Sequence, residues 1–390
     1  MKRIIITAIL FALVLSGCKT NNPQNQNEII KETENLIGVW ITFSELGDFA
    51  EKDFEKSFDE CIQKCVDLGV NNIFVHVRPF CDAVYNSALF PKSRYTQKYD
   101  GDALLYMINI AHQNGIKVHA WLNPYRVALN NTDVNALPDK SPAKLWLTDD
   151  DTDNDKNVCI SGGGIYLNPA ENDVKKLILS GVREIIENYA VDGIHLDDYF
   201  YPTTDAEFDK ISYENYKASV TTPLDLGDWR RQNVNGLIHT LYCAVKAYNK
   251  NIAFGISPAA DIDRCYNQLY ADIEGWAHGG YTDYIMPQLY FGFQYPKEEF
   301  NFDNLLRVWQ ALLEDTPAKL YVGLANYKIG TSSEPDREEW NKYNDIIARQ
   351  IELLNQNNVN GFVFFSYSSL FSDNTLNAEQ TLKIKEKIAK

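Results

Sequence analysis

Two adjacent aspartates, Asp197 and Asp198, follow a short apolar segment within YAVDGIHLDDYFYP (189–202). Side chains of a β-strand alternate between its two faces, so Ile194 would point one way, and His195 and Asp197 the other. Carboxylates buried beside aromatic rings have altered proton affinities, and the roles of general acid, general base and nucleophile need such shifts. We therefore expect the chemistry of this chain here, with Asp197 as the principal catalytic residue. A structural ion pair is the alternative.

The elements that would position these aspartates form a regular pattern along the chain. Short segments rich in apolar and β-branched residues recur, and stretches with helical periodicity lie between them. The predicted strands are 37–43, 72–79, 117–125, 192–199, 253–259, 284–292, 320–327 and 361–368, and the predicted helices include 51–68, 102–114, 171–189, 229–248 and 337–355. This alternation predicts an α/β fold with a parallel sheet and right-handed crossovers, closed into a (β/α)8 TIM barrel. A long insertion, 127–167, follows the third strand.

The inward face of these strands is predicted to be polar, which a barrel that serves only as a scaffold would not need. The period-two rule places hydrophilic side chains on the barrel axis and apolar ones against the helices. Buried polar groups are costly unless they satisfy one another. Inward residues, together with those at the strand ends, form the predicted substrate-binding set: Arg78, His76, Tyr85, His119, Trp121, Asn123, Tyr125, Arg126, His195, Tyr199, Gln288 and Tyr290.

Carboxylates and aromatic rings are concentrated just beyond the predicted strand ends. Aromatic faces pack on the C–H surfaces of pyranose rings, and a pair of carboxyl groups acts on the glycosidic bond. The pattern therefore favours a glycosidase cleft. Asp197 would be the nucleophile or would stabilise the oxocarbenium-like centre, and the sequence leaves the proton donor open among Asp198, Asp82 and Asp261.

Many stretches of the chain resemble the bacterial glycosyl hydrolase-like family 10. They are IGVWITF (37–43), HVRPFCDAVYNSALFPKSRY (76–95), AHQNGIKVHAWLNPYRV (111–127), YLNPA (166–170), VDGIHLDDYFYP (191–202), DWRRQNVNGLI (228–238), FGISPAA (254–260), WAHGGYTDYIMPQLYF (276–291) and LYVGLANYKIG (320–330). The resemblance covers essentially all of 36–390. It implies a (β/α)8 glycosidase, frequently exported as a lipoprotein, with a bacterial cell-wall glycan as substrate.

A chitinase motif, DGxDxDxE, is similar to residues 192–199 but does not match them fully. His195 replaces the first inner aspartate of that motif, and Tyr199 replaces its terminal glutamate. The catalytic acid of the motif is missing, so its mechanism is not carried over, although assistance by a substrate N-acetyl group stays open.

Two other function classes are alternatives to a carboxylate glycosidase. One is a metal-dependent hydrolase that uses the inward histidines His76, His119 and His195 as zinc ligands. The other is a non-catalytic lipoprotein that binds a glycan. The glycosidase prediction itself requires no cofactor and no metal.

The charge of the chain limits its partners. It has 53 acidic and 37 basic side chains and a formal net charge of −16, which disfavours nucleic acid as a partner. Lys92, Arg94 and Arg126 nevertheless place positive charge at the predicted active face. They would bind an anionic glycan, such as lactyl-bearing peptidoglycan strands, or they would pair with neighbouring acids.

The start of the chain is typical of an exported lipoprotein. Residues 1–17 combine two basic residues, an apolar run and small residues, which is the pattern of a signal peptide. Cys18 ends a lipobox-like LSGC sequence and is predicted to carry lipid. Residues 18–35 are polar and predicted to be a flexible tether. We therefore expect a barrel over 36–390, anchored through Cys18 to a membrane of the cell envelope and facing away from the cytoplasm.

Overall fold

The computed structural model of the chain describes residues 35–388. The predicted signal peptide (1–17) and the predicted lipidation at Cys18 lie outside the described residues, as does nearly all of the predicted tether (18–35). Within residues 35–388, no helix combines the length and apolar character that a bilayer span requires.

A parallel sheet of short strands forms the centre of the fold. Residues 35–388 contain twelve strands, which are, in chain order, β1 (Leu36–Ile41), β2 (Asn72–Arg78), β3 (Lys117–Leu122), β4 (Arg126–Ala128), β5 (Val158–Ser161), β6 (Gly164–Leu167), β7 (Gly193–Leu196), β8 (Ala253–Ile256), β9 (Tyr284–Ile285), β10 (Lys319–Leu320), β11 (Val322–Leu324) and β12 (Gly361–Phe364).

Nine of these strands form a barrel. Their spatial order is β10-β9-β8-β7-β3-β2-β1-β12-β11. Tyr321 alone separates β10 from β11, so both ends of this order belong to one segment of the chain. A bridge between Gln288 and Gly323 joins the loop after β9 to β11. The eight strand positions that the sequence predicts are all present, and the (β/α)8 barrel is confirmed.

Helices connect the barrel strands. Within residues 35–388 they are Phe43–Lys52, Phe54–Leu68, Ala103–Gln113, Pro142–Thr148, Asn172–Asn188, Lys210–Ser219, Leu226–Tyr248, Ile262–Asn267, Ile273–His278, Phe302–Leu312, Arg337–Lys342, Ile346–Gln356, Tyr367–Leu370 and Thr375–Ile388.

Two predicted helices differ from the structure because each is divided. The predicted helix 51–68 is interrupted at Asp53, whose side chain caps the second helix by accepting a hydrogen bond from the backbone N–H of Lys56. The predicted helix 337–355 is divided between Lys342 and Ile346.

The insertion after β3 has its own secondary structure. Strands β4, β5 and β6 form a separate antiparallel sheet in the order β4-β6-β5, and helix Pro142–Thr148 lies between β4 and β5 in the chain.

The barrel interior is more aromatic than the sequence predicted. Trp40, Phe74, Trp121 and Tyr284 come from four different strands and pack in one buried cluster, apart from the main core between barrel and helices. Gly193 allows this packing, because a Cβ at that position would lie 2.1 Å from Nδ1 of His119. Polar groups on the axis are therefore embedded among rings, and the open polar site is confined to the strand ends.

Candidate active site

A pocket of about 350 Å³ opens where the barrel strands end. Its polar lining includes Asp197 and Asp198 after β7, Ser257 after β8 and Gln288 after β9. TIM-barrel enzymes carry their active sites at the carboxyl ends of the strands. The aromatic residues that line the pocket are Trp40, Phe43, Trp121, Tyr199, Tyr290 and Phe365.

Asp197 is held by donors on both of its carboxylate oxygens. Oδ1 accepts hydrogen bonds from Nδ2 of Asn123 (3.1 Å) and the backbone N–H of Tyr199 (3.2 Å), and Oδ2 accepts one from Nε1 of Trp121 (3.1 Å). The side chain is buried, with 4% exposure. Burial raises the pKa of Asp197 from 3.8 to about 6, while the positive charge of Arg126 opposes that rise. The donors fix the carboxylate in one orientation, and the raised pKa brings its titration closer to neutral pH.

Asp198 is half-buried and lines the same pocket. Its Oδ1 accepts a hydrogen bond from Nε2 of Gln288 (3.1 Å), and the same amide nitrogen donates to the backbone carbonyl of Ser257 (3.0 Å). Burial raises the pKa of Asp198. Fewer hydrogen-bond donors contact the Asp198 carboxylate than the Asp197 carboxylate in the described structure.

His76 faces the pocket with both ring nitrogens free of partners in the described structure. The imidazole stacks on Trp121 with ring centroids 3.6 Å apart, and it is 1% exposed. Burial holds the pKa of His76 well below its usual value, so the ring is neutral. A neutral imidazole offers one N–H donor and one nitrogen acceptor to a ligand.

His119 lies beneath the pocket among the rings of the aromatic cluster, and His195 contacts the same rings at the floor of the pocket. Nε2 of His195 accepts a hydrogen bond from Nε1 of Trp40 (3.3 Å), and its Nδ1 lies 3.1 Å from the hydroxyl of Tyr284. His119 contacts the same hydroxyl through Nδ1 (3.3 Å) and the Asn72 side chain through Nε2 (3.1 Å).

The ligand set of the metal-dependent alternative is not assembled. The nitrogens of His119 and His195 are already engaged in hydrogen bonds, which leaves His76 without a histidine partner. No cluster of three or more His, Cys, Asp and Glu side chains within residues 35–388 is arranged to hold a metal ion.

Arg78 and Tyr85 do not reach the pocket, contrary to the prediction. A bulge near the end of β2 shifts the register, so Arg78 pairs with Leu122, a residue of the outward-facing core. The Arg78 guanidinium lies 4.5 Å from the centroid of the Phe90 ring and beside helix Asn172–Asn188. Tyr85 is buried in the same outer layer. The bulge reverses the alternation on which the prediction depended.

Two of the predicted catalytic aspartates also lie elsewhere. Asp82 lines a second cavity and accepts a hydrogen bond from the backbone N–H of Phe80 (3.2 Å). Asp261 caps helix Ile262–Asn267 by accepting a hydrogen bond from the backbone N–H of Arg264 (3.1 Å). Neither side chain lines the pocket that contains Asp197. Of the proposed proton donors, the structure brings only Asp198 together with Asp197 in that pocket.

The remaining predicted binding residues divide into three groups. Trp121, Arg126, Tyr199, Gln288 and Tyr290 line the pocket, as do His76 and His195. Asn123 lies behind the pocket and orients Asp197. Tyr125, like His119, is buried outside the lining, in the core.

One wall of the pocket, formed by β1, β12 and the segments that follow them, was not predicted from the sequence. Glu45 accepts hydrogen bonds from the Ser366 hydroxyl (2.7 Å) and the backbone N–H of Ser368 (2.5 Å), which joins helix Phe43–Lys52 to the start of helix Tyr367–Leu370. Trp40 belongs to this wall, and its inward parity within IGVWITF was a usable signal. Glu45 and Ser366 are 321 residues apart in the chain, so no local sequence pattern could predict their hydrogen bond.

Comparison with known proteins identifies the family to which the chain belongs. The sequence profile described as "Glycosyl hydrolase-like 10" matches residues 35–342. The chain belongs to the glycosyl hydrolase-like 10 family. It is 31% identical to "Glycosyl hydrolase YngK" of Bacillus subtilis (strain 168), over 94% of this chain and 74% of that protein. It is 32% identical to "Glycosyl hydrolase DigH" of Escherichia coli (strain K12), over 69% of this chain and 65% of that protein.

Solved structures show the same barrel at low sequence identity. The glycoside hydrolase domain of PgaB (BpsB) from Bordetella bronchiseptica has a TM-score of 0.60 at 12% identity, covering 89% of this chain and 98% of that domain. Chitinase ChiW from Paenibacillus sp. str. FPU-7 has a TM-score of 0.52 at 10% identity, covering 92% of this chain and 33% of that one. The fold of this family member is therefore that of TIM-barrel glycoside hydrolases.

Proposed function

We propose that the protein hydrolyses glycosidic bonds in an N-acetylated bacterial cell-wall glycan, with peptidoglycan glycan strands as the substrate. The observation that carries the proposal is the adjacent pair Asp197 and Asp198 at the end of β7, within an aromatic-walled pocket. Carboxyl groups with raised pKa values beside ring faces fit a sugar and the acid chemistry of its glycosidic bond. Membership of the glycosyl hydrolase-like family supports the same reaction class.

The hydrogen bonds around the two aspartates support different roles for them. Asp198 is the proton donor to the leaving oxygen, because the Gln288 side chain is the one side chain of the described residues that donates to its carboxylate, whereas Asp197 accepts hydrogen bonds from three residues. Asp197 is the oriented carboxylate that stabilises positive charge at the anomeric centre, because Trp121, Asn123 and Tyr199 all donate to its oxygens.

The substrate itself supplies the nucleophile in this proposal. Asp197 and Asp198 are the carboxylates among the described lining residues, and they are neighbours in the chain. Glycosidases that use two carboxyl groups place them on opposite sides of the scissile bond, whereas some families use the substrate. The acetamido oxygen attacks the anomeric carbon as the glycosidic bond breaks, and Asp198 gives its proton to the leaving oxygen. Water then opens the cyclic intermediate and returns a proton to Asp198.

The experiment is digestion of purified glycan strands, with new reducing ends and mass spectra of the products as readouts. Strands with intact N-acetyl groups are expected to be cleaved, and the same strands after chemical de-N-acetylation are expected to resist. Equal cleavage of both would contradict the nucleophilic role of the acetamido group. Binding without any new reducing ends, under conditions where the protein is folded, would favour the non-catalytic glycan-binding alternative.

A further inference from the structure

A second cavity, of about 500 Å³, lies between the loop after β2 and the insertion after β3. We call it the Phe80 cavity, after the aromatic residue in its lining. The Phe80 cavity is larger than the pocket that contains Asp197. The proposed cleavage of the glycosidic bond gives this cavity no role. Its lining includes three cationic side chains, Lys92, Arg94 and Lys140.

The cations of the Phe80 cavity have no acidic partners. In the described part of the chain, none of Lys92, Arg94 and Lys140 has a carboxylate oxygen within 4.0 Å. Asp139, which also lines the cavity, is instead paired with Lys144 (2.8 Å). The chain as a whole has a net charge of −16, so the charge of this group of cations is opposite in sign to that of the molecule. They create a local positive potential that attracts an anionic group.

Other polar groups of the cavity leave this charge available. Arg94 donates to the hydroxyl of Tyr95 (2.7 Å), which fixes the guanidinium without neutralising it. The Ser141 hydroxyl is buried and has no hydrogen-bond partner in the described structure. Asp82 also lines the cavity; burial raises its pKa to about 6, so its carboxylate form prevails at neutral pH and offsets one of the three positive charges. The cavity thus combines unpaired cations with an unsatisfied hydroxyl, a set suited to a carboxylate.

One layer of side chains separates the Phe80 cavity from the catalytic pocket. Phe43 lines the catalytic pocket, and its ring centroid lies 5.5 Å from that of Phe80. The Arg126 guanidinium lies 4.1 Å from the Tyr199 ring in the pocket and 5.8 Å from the Phe80 ring. A glycan held at Asp197 that extends over this layer would reach the second cavity.

We infer that the Phe80 cavity is an accessory subsite, which binds a carboxylate-bearing substituent of the glycan beside the bond that is cleaved. This inference rests on the proposed function, and it adds that the enzyme selects acidic glycans over neutral ones. The carboxylate comes from a lactyl group on the sugar or from a peptide attached to it.

The test compares the parent with the double variant Arg94→Gln/Lys140→Gln. On peptide-free strands with lactyl carboxylates, the variant is expected to raise KM roughly tenfold, because each exposed cation contributes up to a few-fold in affinity. The value of kcat is expected to stay unchanged. On strands whose carboxyl groups have been reduced to alcohols, parent and variant should have the same KM. Lys176→Gln is the matched control, because Lys176 is an exposed cation paired with Asp173 and lines neither cavity.

Peptide-bearing strands distinguish the two carboxylate sources. If the variant raises KM on these strands and not on peptide-free ones, the ligand is the peptide carboxylate. An unchanged KM on both, or an equal rise on reduced strands, would overturn the inference. If the parent cleaves no strand, the proposed function fails, and calorimetric binding of the same three strands to parent and variant tests the cavity separately.

Discussion

At the scale of single residues, the ionisation of Asp197 controls the proposed chemistry. Burial raises its pKa to about 6, and the carboxylate form is the one that stabilises positive charge. The charged form is present above that pKa and is lost as the pH falls through it. We therefore expect kcat/KM to decrease below about pH 6, as measured in a pH–rate profile on glycan strands.

A conservative variant tests this assignment. Trp121→Phe keeps an aromatic ring but removes the Nε1 donor to Asp197, and that donor lowers the pKa of Asp197. The acid limb of the profile should therefore move to higher pH in the variant. An acid limb near pH 4, or one that is identical in parent and variant, would contradict the role of Asp197.

The sequence predicted which residues line the candidate site better than it predicted their contacts. Asp197, Asp198, Gln288 and Tyr290 line one pocket, because strand alternation and strand ends are local properties that a sequence displays. Arg78 was misplaced by a bulge, which depends on the register between two strands. Asp261 has the residue type of a catalytic acid and of a helix cap, and a single sequence does not separate the two.

At the scale of elements, a buried ion pair supports the loop that begins with Asp197 and Asp198. Arg230 of helix Leu226–Tyr248 donates hydrogen bonds to both oxygens of Asp209 and to the backbone carbonyl of Asp205. Both side chains of the ion pair have 0% exposure. Their contact holds the segment after β7 against a long helix of the outer layer.

Loss of the ion pair between Arg230 and Asp209 should destabilise the folded protein. Arg230→Met leaves the Asp209 carboxylate buried without its partner, so the free energy of unfolding should fall by about 3 to 5 kcal/mol in urea titrations. The control is Arg307→Met, because Arg307 is exposed and pairs with Asp303 on the surface; it should cost less than about 1 kcal/mol. Equal costs for the two variants would show that the pair does not support the loop.

The sequence predicted which elements exist more reliably than where they end. Every predicted strand position is occupied, because β-branched runs and intervening amphipathic stretches are strong signals. The division of the predicted helix 51–68 at Asp53 depends on one capping residue. In the insertion after β3, the pairing of β4 with β6 joins distant segments, whereas β5 and β6 form a hairpin across Gly162 and Gly163; neither pairing was predicted.

At the scale of the whole molecule, we propose that the barrel works outside the cytoplasm, anchored through lipid on Cys18. A single tether at the start of the chain would hold the enzyme near the cell-wall glycan. The proposal comes from the sequence of 1–18, which lies outside the described residues.

Metabolic labelling with a radioactive fatty acid tests the anchor. Label is expected on the parent and is expected to be absent from Cys18→Ala, since the modified thiol has been removed. Cys243→Ala is the control, because Cys243 is an exposed free cysteine of the barrel, and it should be labelled like the parent. Label that persists in Cys18→Ala would exclude Cys18 as the lipidation site.

The measurement that tests the central claim most directly is the release of reducing ends from N-acetylated glycan strands by the parent, Asp197→Asn and Asp198→Asn. Asp261→Asn is the control, because asparagine also caps helices and Asp261 lies outside the pocket. We expect both pocket variants to lose turnover by about 100-fold or more while they stay folded and bind the strands, and the control to retain parental activity. Parental rates in folded Asp197→Asn and Asp198→Asn would contradict the claim that this pair cleaves the glycosidic bond.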